Sequence, residues 1–380
     1  MKKILSLVLT FIIILSAFCA LPVSATTANS SKPKETTYLA SNNVFSNANG
    51  KVYVEENRTV NDWSTRLVSK TPDGKTKILE NAKFDAPQYS FYIRGKTVYY
   101  SLVDADNADS EYSGLFSVNL DGTNKKKIAE NDFNDDKILG GYGDTILLYG
   151  GRAVINGSIN KIYTSRQGYY EKLFNGKIYY ANSVYDLDTK KVSTFKKRNS
   201  VKYPTKNPYV TNKYMYYLNT SNNLVQMDTN NKQQVIVKNV EGILGGNSNW
   251  HVIYTKKDKK GVMTVYRHNK FGKDYPVISY NAIYNFLKQK YGIGKTNIMA
   301  TSAVFVGDKI CITVKGNVGG VMTMNMNGTN IKCIHYFDES LNEDGGYYSF
   351  GTLASLGKEV YYTLSGWYEG LYVSYLIKTA

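Results

Sequence analysis

The chain has 380 residues, a formal net charge of +16 at pH 7 and a sequence pI near 9.3. This length is ample for a large hydrophobic core, as one large all-β domain or two smaller domains. Most of the basic excess is lysine, a hydrated point charge, which argues against a function built on bidentate arginine recognition. The charge is consistent with a well-solvated surface or with attraction to anionic polymers.

The N-terminus has the pattern of a secretory signal peptide. Lys2 and Lys3 precede a long apolar run, and small residues at its end permit cleavage after Ala25. The alternative is a membrane anchor, because the apolar run nearly reaches the length of a spanning helix. Phe18 stands directly before Cys19, where lipid attachment would require a small residue. The sequence therefore predicts a cleaved signal peptide at 1–25.

Export sets the expected location and partners. The short charged start, without an arginine pair, indicates the general export route of a bacterium. The mature chain is expected to be secreted or associated with the cell surface, with no membrane span after cleavage. Nucleic acid, the usual partner of so basic a chain, is not expected outside the cell. Residues 26–36 are polar and lack aromatics, which indicates a flexible leader before one domain at 37–380.

Within 37–380 one pattern recurs, in which a turn precedes a short strand rich in tyrosine or β-branched residues. The clearest copies are Gly95–Ser101 and Gly357–Thr363. Successive copies are separated by 32 to 58 residues, which brackets the ~40–50 residues of a four-stranded propeller blade. The aligned aliphatic positions are Val52, Val98, Ile146, Ile178, Met215, Val252, Ile310 and Val360.

Most copies are followed by a second strand that ends in a tight turn. Gly114–Asn124 and Gly320–Asn330 place Asp-Gly or Asn-Gly after alternating apolar residues, which is the strongest short-range hairpin signal. One blade cannot bury both of its faces alone, whereas a closed ring of blades can. The sequence therefore predicts an all-β fold, a β-propeller of seven or eight four-stranded blades, with eight favoured.

Three further features complete the expected architecture. An early strand near 37–40 is expected to complete the last blade. Residues 281–291 carry apolar side chains at helical spacing and predict one short helical insertion. Cys311 and Cys333 fall on the second and fourth strands of one blade, about 9–10 Å apart from twice the strand spacing, which is too far for a disulfide.

The repeated strands resemble a known group of secreted bacterial propellers. The resemblance is carried by the Tyr-Tyr-Ser/Thr strand and by the later Gly-Leu-Phe-Ser-Val-Asn-Leu-Asp-Gly-Thr-Asn segment, which a basic strand follows. These segments are similar to propellers described as prolow-density lipoprotein receptor-related protein 1-like, and distantly to receptor propellers with Tyr-Trp-Thr-Asp blades. The resemblance covers about residues 37–380 and implies the propeller fold. It implies no activity. Because the receptor propellers have six blades, the resemblance also leaves six blades as an alternative for this chain.

No catalytic or cofactor motif is recognised in the sequence. The histidines are not clustered, no Gly-x-Ser-x-Gly elbow occurs, and each Gly-Lys-Thr lacks the earlier glycine of a phosphate-binding loop. No cofactor is therefore expected. An acidic loop offers Asp104, Asp106 and Asp109 as weak candidates for calcium ligands, with a solvated hairpin tip as the alternative.

Two functions remain open from the sequence. The first is a secreted, non-catalytic binding or scaffolding module, a monomer whose lysines and tyrosines on one ring face contact an anionic envelope polymer or an extracellular protein. The alternative is an extracellular enzyme that acts on polysaccharide or peptide. Its site would lie at the propeller channel, with carboxylates or Tyr/His of perturbed pKa.

Overall fold

The computed structural model describes most of the repeat region, and every described residue belongs to one compact unit, Glu35–Ala380. The described residues are 44–47, 49–59, 62–82, 88–103, 113–130, 137–164, 171–180, 183–194, 208–211, 213–247, 251–269, 271–338, 348–350, 353–356, 359–368 and 371–379.

These residues form strands almost throughout. The strands of the first four sheets are β1 (Val44–Asn47), β2 (Gly50–Thr59), β3 (Asp62–Lys70), β4 (Thr76–Ala82), β5 (Gln88–Arg94), β6 (Thr97–Val103), β7 (Gly114–Asn119), β8 (Lys126–Ala129), β9 (Ile138–Tyr142), β10 (Thr145–Leu148), β11 (Arg152–Ile155), β12 (Ser158–Lys161), β13 (Lys172–Phe174), β14 (Lys177–Tyr180), β15 (Ser183–Asp186) and β16 (Lys191–Thr194).

The second half of the chain repeats the pattern and contains one helix, α1 (Tyr280–Tyr291). Its strands are β17 (Tyr209–Val210), β18 (Tyr214–Leu218), β19 (Leu224–Asp228), β20 (Gln233–Val237), β21 (Gly242–Gly246), β22 (Val252–Lys257), β23 (Met263–His268), β24 (Asp274–Ser279), β25 (Ile298–Val306), β26 (Lys309–Gly316), β27 (Val318–Asn325), β28 (Lys332–Asp338), β29 (Tyr348–Phe350), β30 (Ala354–Leu356), β31 (Glu359–Tyr368) and β32 (Leu371–Thr379).

The described strands form eight four-stranded antiparallel sheets. Seven of them are simple meanders, in which four strands consecutive in sequence are also neighbours in the sheet. Adjacent sheets contact each other through their first strands, from β1 to β5, β9, β13, β17, β21 and β25 in turn. The first strand of each meander is therefore the innermost one, and the fold is the predicted β-propeller.

The eighth sheet differs from the other seven. β29 and β30 both pair with β31, and β32 pairs with β31 along its whole length. A strand has two edges, so β29 and β30 share the edge that β32 leaves open. β32 also contacts β2 of the first sheet, which closes the ring. The strand predicted near 37–40 lies outside the described residues, as do the signal peptide with Ala25 and the leader.

The repeat read from the sequence corresponds to one element of every sheet. The eight aligned aliphatic positions all lie on the strand next to the innermost one, and each side chain is at most 4% exposed. The repeated pattern is therefore a packing pattern, in which each blade fills the space between its neighbours.

Cys311 on β26 and Cys333 on β28 occupy the second and fourth strands of the seventh sheet, as predicted, and both are free thiols.

The helix α1 is the predicted insertion, and it begins one residue earlier than expected. Ser279 caps its N-terminus by accepting a hydrogen bond from the Ala282 amide at 3.1 Å. Gly292 ends it in the left-handed conformation with φ 71°. Ile283 and Leu287 are buried against the sixth and seventh sheets, so the helix is anchored by one apolar face.

Serine side chains tie neighbouring innermost strands together. Ser90 Oγ on β5 accepts a hydrogen bond from the Ile138 amide of β9 at 2.7 Å. At the seventh and eighth sheets, Ser302 Oγ on β25 accepts one from the Leu353 amide at 3.0 Å. These bonds give a side-chain acceptor to the backbone donors of buried residues at the neighbouring sheet.

The innermost strands of the third and sixth sheets share the sequence Ile-Leu-Gly-Gly, at 138–141 and 243–246. In both, the pairing with the next strand shifts by one residue within this segment, which is a β-bulge. A side chain at Gly245 would collide with the carbonyl oxygen of Ala303 on β25. The glycine therefore permits the close approach of two innermost strands.

The contact between the seventh and eighth sheets should depend on pH. His335 Nδ1 lies 3.1 Å from Tyr362 Oη, and burial lowers the pKa of His335 below its usual 6.5. A lowered histidine pKa adds stability above pH 6.5, and that stability is lost as the pH falls below this value. We expect the melting temperature of the wild type to decrease between about pH 7.5 and about pH 5.5, and that of His335→Gln to decrease less. An equal decrease in both would contradict this assignment.

Candidate binding face

Two of the three turns of each meander lie on the same face of the ring. Because consecutive strands are antiparallel, the turn between the first and second strands and that between the third and fourth lie at the same end of a sheet. We call the surface formed by these turns the hairpin face. Hydrogen bonds that link its turns from sheet to sheet include Asn49 Nδ2 to Gly95 O, Arg94 Nη1 to Gly143 O, Tyr142 Oη to Asp188 Oδ2, Tyr209 Oη to Gly246 O and Arg267 Nε to Met326 O.

Lysines recur on this face at equivalent positions of six of the seven meanders, and the third sheet has none at its turns on this face. One set follows the turn between the first and second strands, and a second set lies in or just after the turn between the third and fourth strands. Ten of them are exposed and form no ion pair within the described ranges: Lys77, Lys96, Lys126, Lys190, Lys191, Lys213, Lys232, Lys273, Lys309 and Lys332.

The carboxylates of the same face are largely held by their own turns. Hydrogen bonds from the Thr123 side chain and backbone lower the pKa of Asp121. Asp228 accepts hydrogen bonds from the amides of Asn230 and Lys232, both at 2.9 Å. These aspartates cap turns, as short acidic side chains commonly do. The lysine ammonium groups, in contrast, extend into solvent and give the face its basic character.

One cleft of about 680 Å³ opens on the hairpin face between the second and third sheets. Its base is apolar and consists of Tyr99 and Ile128 from the second sheet with Ile146 and Val154 from the third. The amides of Asn119, Asn124 and Asn156 and the hydroxyls of Thr97 and Ser117 also line the cleft. The volume is within the range of small-ligand pockets, and so is the combination of an apolar base with a few polar groups.

Strand register explains why these side chains meet. Tyr99 on β6 is paired with Ser117 on β7, which is paired in turn with Lys126 on β8. Directly paired residues of antiparallel strands project from the same side of a sheet. These three side chains therefore face the third sheet together.

Arg94 is held in place at the inner end of the cleft. Its Nη1 donates to the Gly143 carbonyl and its Nη2 donates to Tyr99 Oη, both at 2.6 Å. Its guanidinium carbon lies 4.9 Å from the centre of the Tyr99 ring. Asp144 Oδ1 lies 3.8 Å away but is fully exposed, so it neutralises the guanidinium only weakly. The result is a positioned positive charge beside an aromatic ring.

Two lysines lie at the outer end of the cleft, and only one of them is free of an ion pair with a described residue. Lys125 Nζ forms a 2.7 Å ion pair with Glu80, which also accepts a 2.7 Å hydrogen bond from Tyr100. Lys126 is exposed and forms no ion pair within the part of the chain that the structure describes. Lys126 is therefore the cation that is most available to a ligand.

The described innermost strands contain no Asp, Glu or His. Glu171 directly precedes β13 and is fully buried. Burial raises the pKa of Tyr163, and the Glu171 carboxylate raises it further, while the pKa of Tyr149 is raised to about 12 by the same two causes. Burial also lowers the pKa of Lys172. Because Glu171 is fully buried, its carboxylate is not open to a substrate. The alternative function, an enzyme with its site at the propeller channel, remains a prediction.

The sequence-based metal candidates Asp104, Asp106 and Asp109 lie outside the described residues, and they too remain a prediction. Among the residues that are described, no three His, Cys, Asp or Glu side chains are grouped in a way that could hold a metal ion. His251 directly precedes β22 and His268 lies on β23, both in the sixth sheet, and His335 lies on β28 of the seventh. His268 Nδ1 lies 2.7 Å from Asp274 Oδ1, and the ring of His251 lies edge-on to Phe305 at 5.6 Å.

The cleft itself is not predicted from the sequence. Tyr99 is identified there as a repeat tyrosine, and Lys126 only as part of a basic strand. The sequence does contain one signal for the hairpin face, which is the lysine near the first-to-second turn and near the third-to-fourth turn. Antiparallel pairing places both of these turns at the same end of a sheet.

The fold and this face define an all-β propeller with a basic, lysine-bearing surface. We find no protein-family model that matches the chain, and no curated protein matches it either. No helix among the described residues combines the length and the apolar character needed to span a membrane.

Several solved structures resemble the chain. BamB from Moraxella catarrhalis is 11% identical over 88% of this chain and 97% of its own, with a TM-score of 0.47. The β-propeller domain of the Trilobed protease from Pyrococcus furiosus is 11% identical over 87% and 94%, with a TM-score of 0.42. The polysaccharide lyase Uly1 is 11% identical over 89% of each chain, with a TM-score of 0.39.

Proposed function

We propose that this chain is a secreted, non-catalytic binding module that holds an anionic polymer of the bacterial envelope on its hairpin face. The observation that carries the proposal is the recurrence of exposed lysines at equivalent positions of six meanders, where they form no ion pair with any described residue. A polymer with regularly repeated negative charge can contact several of these positions at once. The N-terminal export pattern supports a location outside the cell, where such polymers occur.

The chemistry of the face favours a polymer over a folded protein partner. Protein interfaces are depleted in lysine and enriched in large aromatic residues at their centre. Here the turns present lysines and asparagines, and the repeated tyrosines Tyr100, Tyr216, Tyr217 and Tyr254 are buried between sheets. An extracellular protein is therefore the second choice of partner.

We also propose that the chain belongs with the secreted bacterial propellers described as prolow-density lipoprotein receptor-related protein 1-like. The support is the pair of segments Gly114–Asn124 and Gly320–Asn330, which form equivalent strands and turns of the second and seventh sheets. This membership adds no activity of its own. It agrees with a monomeric module at or outside the cell surface.

The test is retention of the mature chain on two immobilised polymers, polygalacturonate and long-chain polyphosphate, with uncharged dextran as the control. We expect retention on at least one anionic polymer at about 20 mM salt and release by about 0.5 M salt, because salt screens contacts between exposed charges. Equal retention on dextran, or no retention at low salt, would disprove the proposal.

A further inference from the structure

We propose that the cleft between the second and third sheets is a discrete site for an acidic oligosaccharide, a short sugar chain that carries carboxylates. This inference deepens the proposed function, because it names the ligand unit that would be held within the basic face. It depends on the shape of the cleft, on the positions of its cations and on the nature of its polar groups.

The cations lie at the two ends of the cleft and favour an extended ligand over a single small anion. Arg94 is on the innermost strand of the second sheet and Lys126 on the outermost. Three strand spacings separate their backbones by about 14 Å. One small anion cannot span this separation, whereas a short chain with several acidic groups can contact both ends.

The groups between the cations suit a sugar. Asn119, Asn124 and Asn156 offer amides that donate and accept, as hydroxyl-rich ligands require, and the apolar base offers contact for the faces of sugar rings. Tyr99 adds an aromatic surface with a polar end. The Arg94 guanidinium beside it has the planar geometry that matches a carboxylate.

A peptide fits this cleft less well. Extended peptides are usually bound by main-chain hydrogen bonds along an open strand edge. Both walls of the cleft are sheet faces, and its lining consists of side chains from paired strands and turns. Recognition here would therefore depend on side chains, as is common for small polar ligands.

The test is calorimetric titration of the mature chain with the trisaccharide of galacturonic acid, the neutral galactose trisaccharide and tripolyphosphate. We expect the acidic trisaccharide to bind and the neutral one to bind at least about tenfold more weakly, since a charged hydrogen bond is worth about 1.5 kcal/mol. Preference for tripolyphosphate over the acidic trisaccharide would show a phosphate site and overturn the proposal.

Three variants locate the site. Lys126→Gln should weaken binding of the acidic trisaccharide about tenfold. Lys260→Gln, at the turn between the second and third strands of the sixth sheet on the opposite face, is the matched control and should leave it unchanged. Asp144→Asn removes the carboxylate 3.8 Å from Arg94 and should tighten binding about threefold, a gain that misfolding cannot produce. Equal losses for Lys126→Gln and Lys260→Gln would overturn the proposal.

The outcomes separate this site from the face as a whole. If polymers are retained in a salt-sensitive way but the trisaccharide does not bind, the cleft proposal fails and the proposed function stands. If the trisaccharide binds through Lys126 and no polymer is retained, the cleft stands and the polymer proposal fails.

Discussion

Replacing Lys232, Lys273 and Lys332 with glutamine should weaken retention of the protein on its anionic polymer about tenfold, because each exposed charge contact is worth ~0.5 kcal/mol and three such contacts are removed. These lysines lie in or just after the third-to-fourth turns of the fifth, sixth and seventh sheets. All are exposed and distant in the ring from the cleft. The measurement is the dissociation constant for polygalacturonate or polyphosphate as a function of salt.

The matched control removes the same charge from the opposite face. Lys257, Lys259 and Lys260 are exposed at the turn between the second and third strands of the sixth sheet, which lies at the other end of the sheet. Replacing these three lysines with glutamine removes the same net charge as the first triple variant. The dissociation constant for the polymer should change less than twofold, which corresponds to about 0.3 kcal/mol or less. If both triple variants lose affinity equally, binding follows total charge, and the hairpin face is not the site.

Gly245→Ala should be among the most destabilising single substitutions in the ring. The new methyl group would meet the carbonyl oxygen of Ala303, a backbone atom of the neighbouring innermost strand that cannot rotate away. Overpacking typically costs 1–3 kcal/mol, and we expect about 3 kcal/mol here. For a domain of this size, that cost lowers the melting temperature by about 4 °C. Thermal unfolding followed by circular dichroism would measure the shift.

Gly294→Ala is the matched control for this prediction. Gly294 lies after α1 in open space, with no atom within 4 Å of an added methyl group. Replacing an unstrained loop glycine with alanine reduces the freedom of the unfolded chain and usually stabilises by about 0.4–1 kcal/mol. A melting temperature for Gly245→Ala that equals that of Gly294→Ala would show that β21 and β25 can separate without cost.

The propeller fold was predictable because its core residues repeat along the chain. Each blade needs a buried aliphatic residue at the same place in its second strand, so Val52, Val98 and their six equivalents form a pattern that spacing alone reveals. The helix could be predicted because Ile283 and Leu287 must face one side. The Ile-Leu-Gly-Gly segments at 138–141 and 243–246 are a second repeat, and their role depends on contact with a neighbouring strand.

The cleft was harder to predict because its residues are ordinary members of the repeat. Arg94, Tyr99 and Lys126 come from strand ends and turns that recur in other sheets, and no local motif distinguishes them. What sets the second sheet apart is Arg94, whose hydrogen bond to the Gly143 carbonyl depends on where the third sheet lies. Contacts between sheets follow from ring geometry, which a linear pattern does not encode.

The repetition of lysines from sheet to sheet has a consequence for the length of the bound molecule. Once one segment of a long polyanion is held, its next segments are at high local concentration over the neighbouring sheets, and each further contact forms within the same complex. Avidity should therefore increase with chain length, even though each contact is weak. Short fragments would exchange rapidly, whereas long chains would have long residence times and could shift around the ring without leaving it.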